Sequence, residues 1–296
     1  MSVDQTSKKE KNTKKVWVFE GEPAPAEQLH FARIAAEVSA MPWHGSQPSH
    51  GEEQAPLIGT LQEKRLHATV KRYLCEDVST HEIPLISILP ADERPKGGRK
   101  PVADVLAENC IFEVHTGGFY PLRSKIQWYL DNTPYRVTVV HPMAGIKYLS
   151  WIDPADGRVA SRNKSPRRGR VRDVAKELYW LSDFIGSPRF SIRLLLLEIE
   201  EYRLLDGYGK EKKSRASRYE RFPTALLGDI MLYEPEDYAF YFLPEDLRNA
   251  PFTAAEYAKA TGIRGKTTYS MLRLMIKLGI LSEGEKIGRS MSFRYL

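Results

Sequence analysis

Asp104 and Glu113 stand nine positions apart, each inside a short apolar run: Asp104 in the run that starts at Val102, Glu113 in Ile111-Phe112-Glu113-Val114-His115. A turn of two or three residues separates the runs, so they read as the two strands of a hairpin. Alternation puts Glu113 and His115 on one face and Phe112 and Val114 on the other. Asp104 and the Glu113/His115 pair then fall at neighbouring places on one edge of a sheet. Two carboxylates converging in this way repel, and a site that keeps both ionised needs a cation between them. Oxygen ligands of this kind suit Mg²⁺, or Mn²⁺ in its place. The chemistry on offer is activation of a bound water and stabilisation of charge developing on a phosphate.

The elements that must position these groups follow from local patterns. Leu61 to Cys75 has the spacing of a helix, with Thr60 as N-cap and Glu63 three residues on, the capping-box arrangement. Glu63 is therefore either a helix cap or a third acid of the site. Glu82 to Leu89 reads as a strand. After Glu113, Thr116-Gly117-Gly118 turns the chain and Pro121 suits the first turn of a helix. Leu122, Ile126 and Leu130 form that helix's packing stripe, and Lys125 lies beside the stripe, able to reach the carboxylates or water. Tyr135 to Val140 and Lys147 to Ile152 read as strands separated by a turn at Pro142 to Gly145. Asp156-Gly157 reads as a hairpin turn into Arg158 to Ser161, and Asp173 to Ile185 as an amphipathic helix. Phe190 to Leu197 is a strand running on to Glu198, Glu200 and Glu201. Those three acids are explained either by a strand emerging into solvent or by a second cation site.

Helix, strand with Asp, strand with Glu and a following helix resembles the core of the PD-(D/E)XK nuclease superfamily over roughly Leu61 to Val140. It is also similar to a bacterial branch in which Glu-Ile-Gln-Thr stands where this chain has Glu113-Val114-His115-Thr116. The resemblance implies a restriction-endonuclease-like α/β (α+β) fold, a mixed central sheet flanked by helices. It also implies Asp104 and Glu113 as metal ligands, with Glu63 as the acid of the initial helix. The family's lysine position holds His115 here. In some members the lysine sits on the following helix, which makes Lys125 its counterpart.

The 296 residues allow two domains or three, and a hydrophobic fraction of 42% supports ordinary cores. The net charge of +6 favours a polyanionic partner mildly; where the charge sits matters more. Arg158 to Arg172 holds seven basic residues and no acid, which points to phosphate contact by Arg162, Lys164, Arg167, Arg168 and Arg170. Another basic loop, Pro90 to Lys100, leads into the Asp104 strand. Cys75 and Cys110 have the spacing of neither a zinc site nor a disulfide framework, which fits a reducing, cytoplasmic setting. No signal peptide or apolar run of membrane-spanning length is visible.

Residues 1–15 read as a disordered basic tail. Residues 16–59 are an N-terminal extension and linker containing a short strand at Val16 to Phe19, a helix over Ala26 to Ala40, and a Gly/Ser/Pro-rich stretch with His44 and His50. Residues 60–206 are the nuclease-like domain and 207–250 a connector. Residues 251–296 form a final module: a capping box at Thr253-Ala254-Ala255-Glu256, a short helix, a turn at Thr261-Gly262-Ile263, a longer helix from Lys266 to Leu278 stopped by Gly279, and a glycine-bounded hairpin. This module resembles a winged helix-turn-helix domain. The resemblance implies DNA contacts from Lys266, Thr267, Thr268, Ser270 and Arg273 on the second helix and from Lys286 and Arg289 on the wing.

The expected function is a DNA-binding, Mg²⁺-dependent endonuclease serving defence or repair. The alternatives are a non-catalytic DNA-binding regulator and an assembly subunit with a degenerate nuclease core, acting as a homodimer or within a protein complex. No Gly-x-Ser-x-Gly context, Walker loop or dinucleotide fingerprint is present.

Overall fold

A computed structural model describes residues 21–41, 64–89, 101–153, 158–207 and 216–296. The basic tail, the Val16 to Phe19 strand, the stretch with His44 and His50, Glu63 with its cap Thr60, the loop after Leu89 and the Asp156-Gly157 turn lie outside the described residues.

The chain opens with α1 (Pro25–Ala40) and α2 (Lys64–Leu74), then β1 (His81–Pro84) and a single helical turn, α3 (Leu85–Ile88). The hairpin follows as β2 (Val102–Ala107) and β3 (Cys110–Val114). Its two central turn residues, Glu108 and Asn109, have φ of 50° and 58°. Positive φ at both places is the mark of a type I′ turn, whose twist matches that of the strands it joins. Next come α4 (Arg123–Asn132), β4 (Arg136–Ile152), β5 (Val159–Lys164), α5 (Ala175–Leu178), β6 (Phe190–Leu204), β7 (Ser217–Leu232) and α6 (Pro235–Phe242). The chain ends with β8 (Phe252–Thr253), α7 (Ala254–Thr261), α8 (Lys266–Lys277), β9 (Leu281–Ile287) and β10 (Ser290–Tyr295).

Seven of the described strands form one mixed sheet, ordered β1-β2-β3-β4-β6-β7 with β5 beside β4. The pairs β3/β4 and β4/β6 are parallel and the others antiparallel. Strand alternation divides its apolar residues between two faces. Ile111, Val137, Val139, Ile192 and Leu194 look toward α4, α5 and α6. Val114, Val140 and Leu195 look toward Phe31, Ile34, Leu66 and Val70 of α1 and α2. The mixed sheet flanked by helices agrees with the α/β class expected.

Four local readings are corrected. Arg136 to Ile152 is one long strand, not two with a turn at Pro142. Pro142 lies just beyond the end of β3, where β4 has lost a neighbour on one side, so the missing N–H forfeits no ladder bond. A register irregularity between Ala144 and Ile146 absorbs Gly145. The amphipathic helix expected from Asp173 to Ile185 breaks into 3₁₀ turns around α5. The strand expected from Glu82 to Leu89 is β1 followed by α3. Residues 217–232, expected within a connector, pair with β6 from Ile192 to Leu204.

In the last module, Thr253 and Glu256 exchange backbone–side-chain hydrogen bonds of 3.3 and 2.7 Å. Gly262 and Gly279 end α7 and α8 at φ of 72° and 71°. Met271, Leu272, Leu274 and Met275 of α8 belong to the same apolar core as Ile192 and Leu194 of the sheet. Among the described residues no helix is long and apolar enough to cross a membrane.

Candidate functional site

The β2/β3 ladder ends at Val105 opposite Phe112. Beyond that pair, β2 stays with β1 through Ala103 and Val102, while β3 stays with β4 through Val114. The strands part, and the two acids sit at the fork. The Val114 N–H, left without a partner on β2, donates to Asp104 Oδ2 at 2.8 Å.

Each acid is gripped from a different helix. On the α2 side, His67 Nε2 lies 3.2 Å from Asp104 Oδ2 and 3.1 Å from the Val114 carbonyl oxygen. Both neighbours are acceptors, so this nitrogen carries the proton. On the α4 side, Lys125 Nζ pairs with Glu113 Oε1, and Tyr129 Oη donates to Glu113 Oε2 at 3.1 Å. Lys125 and Tyr129 are one helical turn apart, which lets one face of α4 reach both carboxylate oxygens. Lys71, a turn beyond His67, pairs with Glu82 at 2.7 Å.

Glu113 is deeply buried, its side chain 5% exposed. Burial, and then the charge of Asp104, push its carboxyl up to about 7, against the opposing pull of Lys125 and Tyr129. Burial also pushes Asp104 upward. There it is outweighed by the His67 hydrogen bond and charge, by Lys125 and by the Val114 N–H, and the carboxyl stays below its ordinary value. The two acids therefore interact, and their proton affinities are driven apart. Burial and Glu113 keep the Tyr129 phenol protonated.

Three of the anticipated catalytic residues thus come together: Asp104, Glu113 and Lys125. His115 does not join them; its Nε2 bonds the Gly118 carbonyl at 2.8 Å and closes the turn before α4. Sequence reasoning missed His67 and Tyr129. His67 is marked only by its contacts with Asp104 and the end of β3, which are distant in sequence. Among the described residues no three Asp, Glu, His and Cys side chains come together as a metal-binding group.

The anticipated nucleic-acid contacts divide in the same way. Arg162 is committed to Glu200, which accepts from its Nε at 3.1 Å and its Nη2 at 2.9 Å, and its guanidinium lies 3.9 Å from the Tyr148 ring centroid. Lys164 Nζ lies 5.4 Å from the same ring. Arg167 and Arg170 are exposed, and Arg168 is half-buried. In the last module Lys266, Arg273, Lys286 and Arg289 are exposed and Thr267 half-buried. Ser270 Oγ donates to the Lys266 carbonyl at 3.1 Å. Thr268 is a correction: it is buried, and its hydroxyl donates to the Ile263 carbonyl at 2.9 Å, so it ties the turn to α8 instead of facing outward. The acids after Leu197 are also corrected. Glu200 and Glu201 are buried and paired with basic side chains, so they do not emerge into solvent, while Glu198 is half-buried and accepts from the Thr224 hydroxyl.

No solved structure matches this chain. An "Uncharacterized protein" of Treponema pallidum (strain Nichols) is 25% identical over 166 residues, which is 55% of this chain and 59% of that protein. The chain thus spans less than two thirds of that relative's length. The profile of the family described as "Domain of unknown function (DUF8091)" matches residues 64–233. The match runs from α2 through β7, takes in His67, Asp104, Glu113, Lys125 and Tyr129, and stops short of α7, α8 and the final hairpin. It covers more than half of the sequence, and the chain belongs to that family, the domain of unknown function DUF8091.

Proposed function

We propose that the protein binds DNA and hydrolyses phosphodiester bonds with the help of a divalent cation. In this reading the sheet is a restriction-endonuclease-like core and the final module a winged helix-turn-helix. The observation that carries it is the fork between β2 and β3, where two interacting carboxylates with divergent proton affinities meet a lysine from the next helix. Groups whose proton affinities are shifted by burial and a specific charged neighbour cluster at functional sites.

The donor chemistry fits a hard cation. Asp104, Glu113 and the Val114 carbonyl offer oxygen ligands, and the Asp104 charge, which adds to burial in lifting Glu113, is one a cation relieves. When bound, such an ion would supply Lewis acidity toward a phosphoryl oxygen and make a water acidic enough to attack. The chain's own residues supply the rest. Tyr129 and Lys125 hold the Glu113 carboxylate in one orientation. Lys125, 22% exposed, places a positive charge where the phosphate gains negative charge. The His67 N–H ties Asp104 to the end of β3 and so keeps the fork in register. Arg167, Arg168 and Arg170, with Lys266, Arg273, Lys286 and Arg289, supply the phosphate contacts that set affinity without reading sequence.

The test is incubation of duplex and single-stranded DNA with and without Mg²⁺ or Mn²⁺. The wild type should cleave only with the metal, and Asp104→Ala and Glu113→Ala should each lose at least about a hundredfold in rate. Equal breakdown of DNA by all three proteins would discard the assignment. DNA binding that both substitutions leave intact, with no metal-dependent cleavage by the wild type, would favour the non-catalytic regulator.

A further inference from the structure

A cavity of about 400 Å³ lies where the chain after β5 passes between β6, α6 and the end of α7. That size is within the range of about 300–1,000 Å³ usual for small-molecule sites. Arg168, Arg170 and Arg172 line it together with the apolar Leu196 and Phe242, and none of its lining residues is acidic. Phe240 lines it as well, although the residue is 69% exposed.

The alternation of the arginines has a mechanical cause. Gly169 presses its backbone onto β4: its N–H donates to the Ala144 carbonyl at 3.0 Å, and a Cβ built on Gly169 would lie 2.5 Å from that oxygen. Ala144 stands at the register irregularity of β4, so the segment is pinned at one defined point. With Gly169 held against the sheet and Arg170 extended, Arg168 and Arg170 flank the pin and Arg172 follows two residues on. Arg172 Nη1 also donates to the Thr261 carbonyl, which fixes the end of α7 to the same wall. Among the described residues no ion pair joins Arg170 or Arg172 to a carboxylate.

We propose that this cavity binds a 5′-phosphorylated nucleotide, taken either free or as the end of a strand. Guanidiniums on a rigid segment match a terminal phosphate with paired, charge-assisted hydrogen bonds. The apolar and aromatic wall, with an accessible ring at Phe240, suits the flat face of a base. An inorganic anion leaves that wall without an occupant, and an uncharged apolar ligand leaves the Arg170 charge unused. The proposal does not depend on catalysis at the β2/β3 fork.

Isothermal titration of the full chain without divalent metal tests it, using 5′-AMP, adenosine and inorganic phosphate as probes. AMP should bind at least about tenfold more tightly than either of its parts, as expected when both halves of the site are used. Arg170→Glu should weaken AMP by at least about tenfold, with Arg170→Ala as the milder check. Phe240→Ala should weaken AMP and leave phosphate unchanged. Both positions are exposed, and far-UV circular dichroism verifies folding. AMP binding no tighter than phosphate, or indifferent to Arg170→Glu, overturns the proposal. Competition against AMP by single-stranded oligonucleotides separates the sources. A 5′-phosphorylated strand that competes where its 5′-hydroxyl twin does not identifies a strand end. Failure of both to compete identifies the free nucleotide. Equal competition by both overturns the proposal, since the terminal phosphate is then not what is recognised.

Discussion

Two pairs of acids in this protein meet opposite fates. At the β2/β3 fork, Asp104 and Glu113 share one lysine and one histidine. Farther along the sheet, Glu200 and Glu201 receive three cations among the described residues. Arg162 clasps Glu200, which also accepts from Ser150, while Lys147 and Arg203 reach Glu201 at 3.2 and 2.8 Å. The second cluster is matched and holds strands β4, β5 and β6 together. The first has fewer cations, and burial together with the charge of Asp104 raises the proton affinity of Glu113. A deficit of positive charge at a partly open place is what a cationic ligand can use; a matched cluster offers it nothing.

The largest expected effect tests the matched cluster. Glu201→Ala leaves Lys147 and Arg203 without their common partner in a buried setting and should cost about 3–5 kcal/mol in urea unfolding. A loss of less than about 1 kcal/mol, the usual worth of an exposed pair, would erase the contrast. Next comes the pH dependence of the cluster at the fork. The folded value of Glu113, about 7, exceeds the ordinary carboxylate value of 4.5, so between those limits the folded state holds more protons than the unfolded one. Stability should therefore fall as pH rises through that window, by on the order of 3 kcal/mol, and Glu113→Gln should remove that fall. Asp104, shifted the other way, acts at lower pH, where its contribution is lost as the carboxyl is protonated. Denaturation curves at pH 5 and pH 8 decide the matter; equal pH slopes for wild type and variant contradict the account. Tyr129→Phe deletes one hydrogen bond to Glu113 and should cost about 1 kcal/mol. It should also push the Glu113 carboxyl higher still, which carboxyl NMR titration detects; a downward move counts against the role given to Tyr129. Smallest is Arg162→Lys, which keeps the charge but loses the two-pronged grip. With a side chain 54% exposed, Arg162 should change stability by less than about 1 kcal/mol.

What the sequence disclosed follows the range over which each signal acts. The hairpin, the helix after it, and the succession of α7, α8 and the last hairpin are local patterns of turn chemistry and periodicity, and they were readable. So were Asp104, Glu113 and Lys125, whose placement follows from alternation and from the stripe on α4. His67 was not singled out because a lone histidine on a helix carries no periodic mark; its meaning comes from Val114, 47 residues away. The commitment of Arg162 to Glu200 spans 38 residues and depends on β5 folding back beside β4. The continuity of β4 through Pro142 depends on where a neighbouring strand stops, which no window around Pro142 contains. Membership of β7 in the sheet depends on β6, its partner along its whole length.

The apolar core that runs unbroken from Ile192 and Leu194 to Met271 and Met275 has a thermodynamic consequence. Removing α7, α8 and the last hairpin would strip the sheet of part of its own interior, so a truncation before Phe252 should yield an aggregating fragment instead of a lighter working protein. In a calorimeter the sheet and the final module should melt as one event, with α8 and the β2/β3 fork losing their structure together.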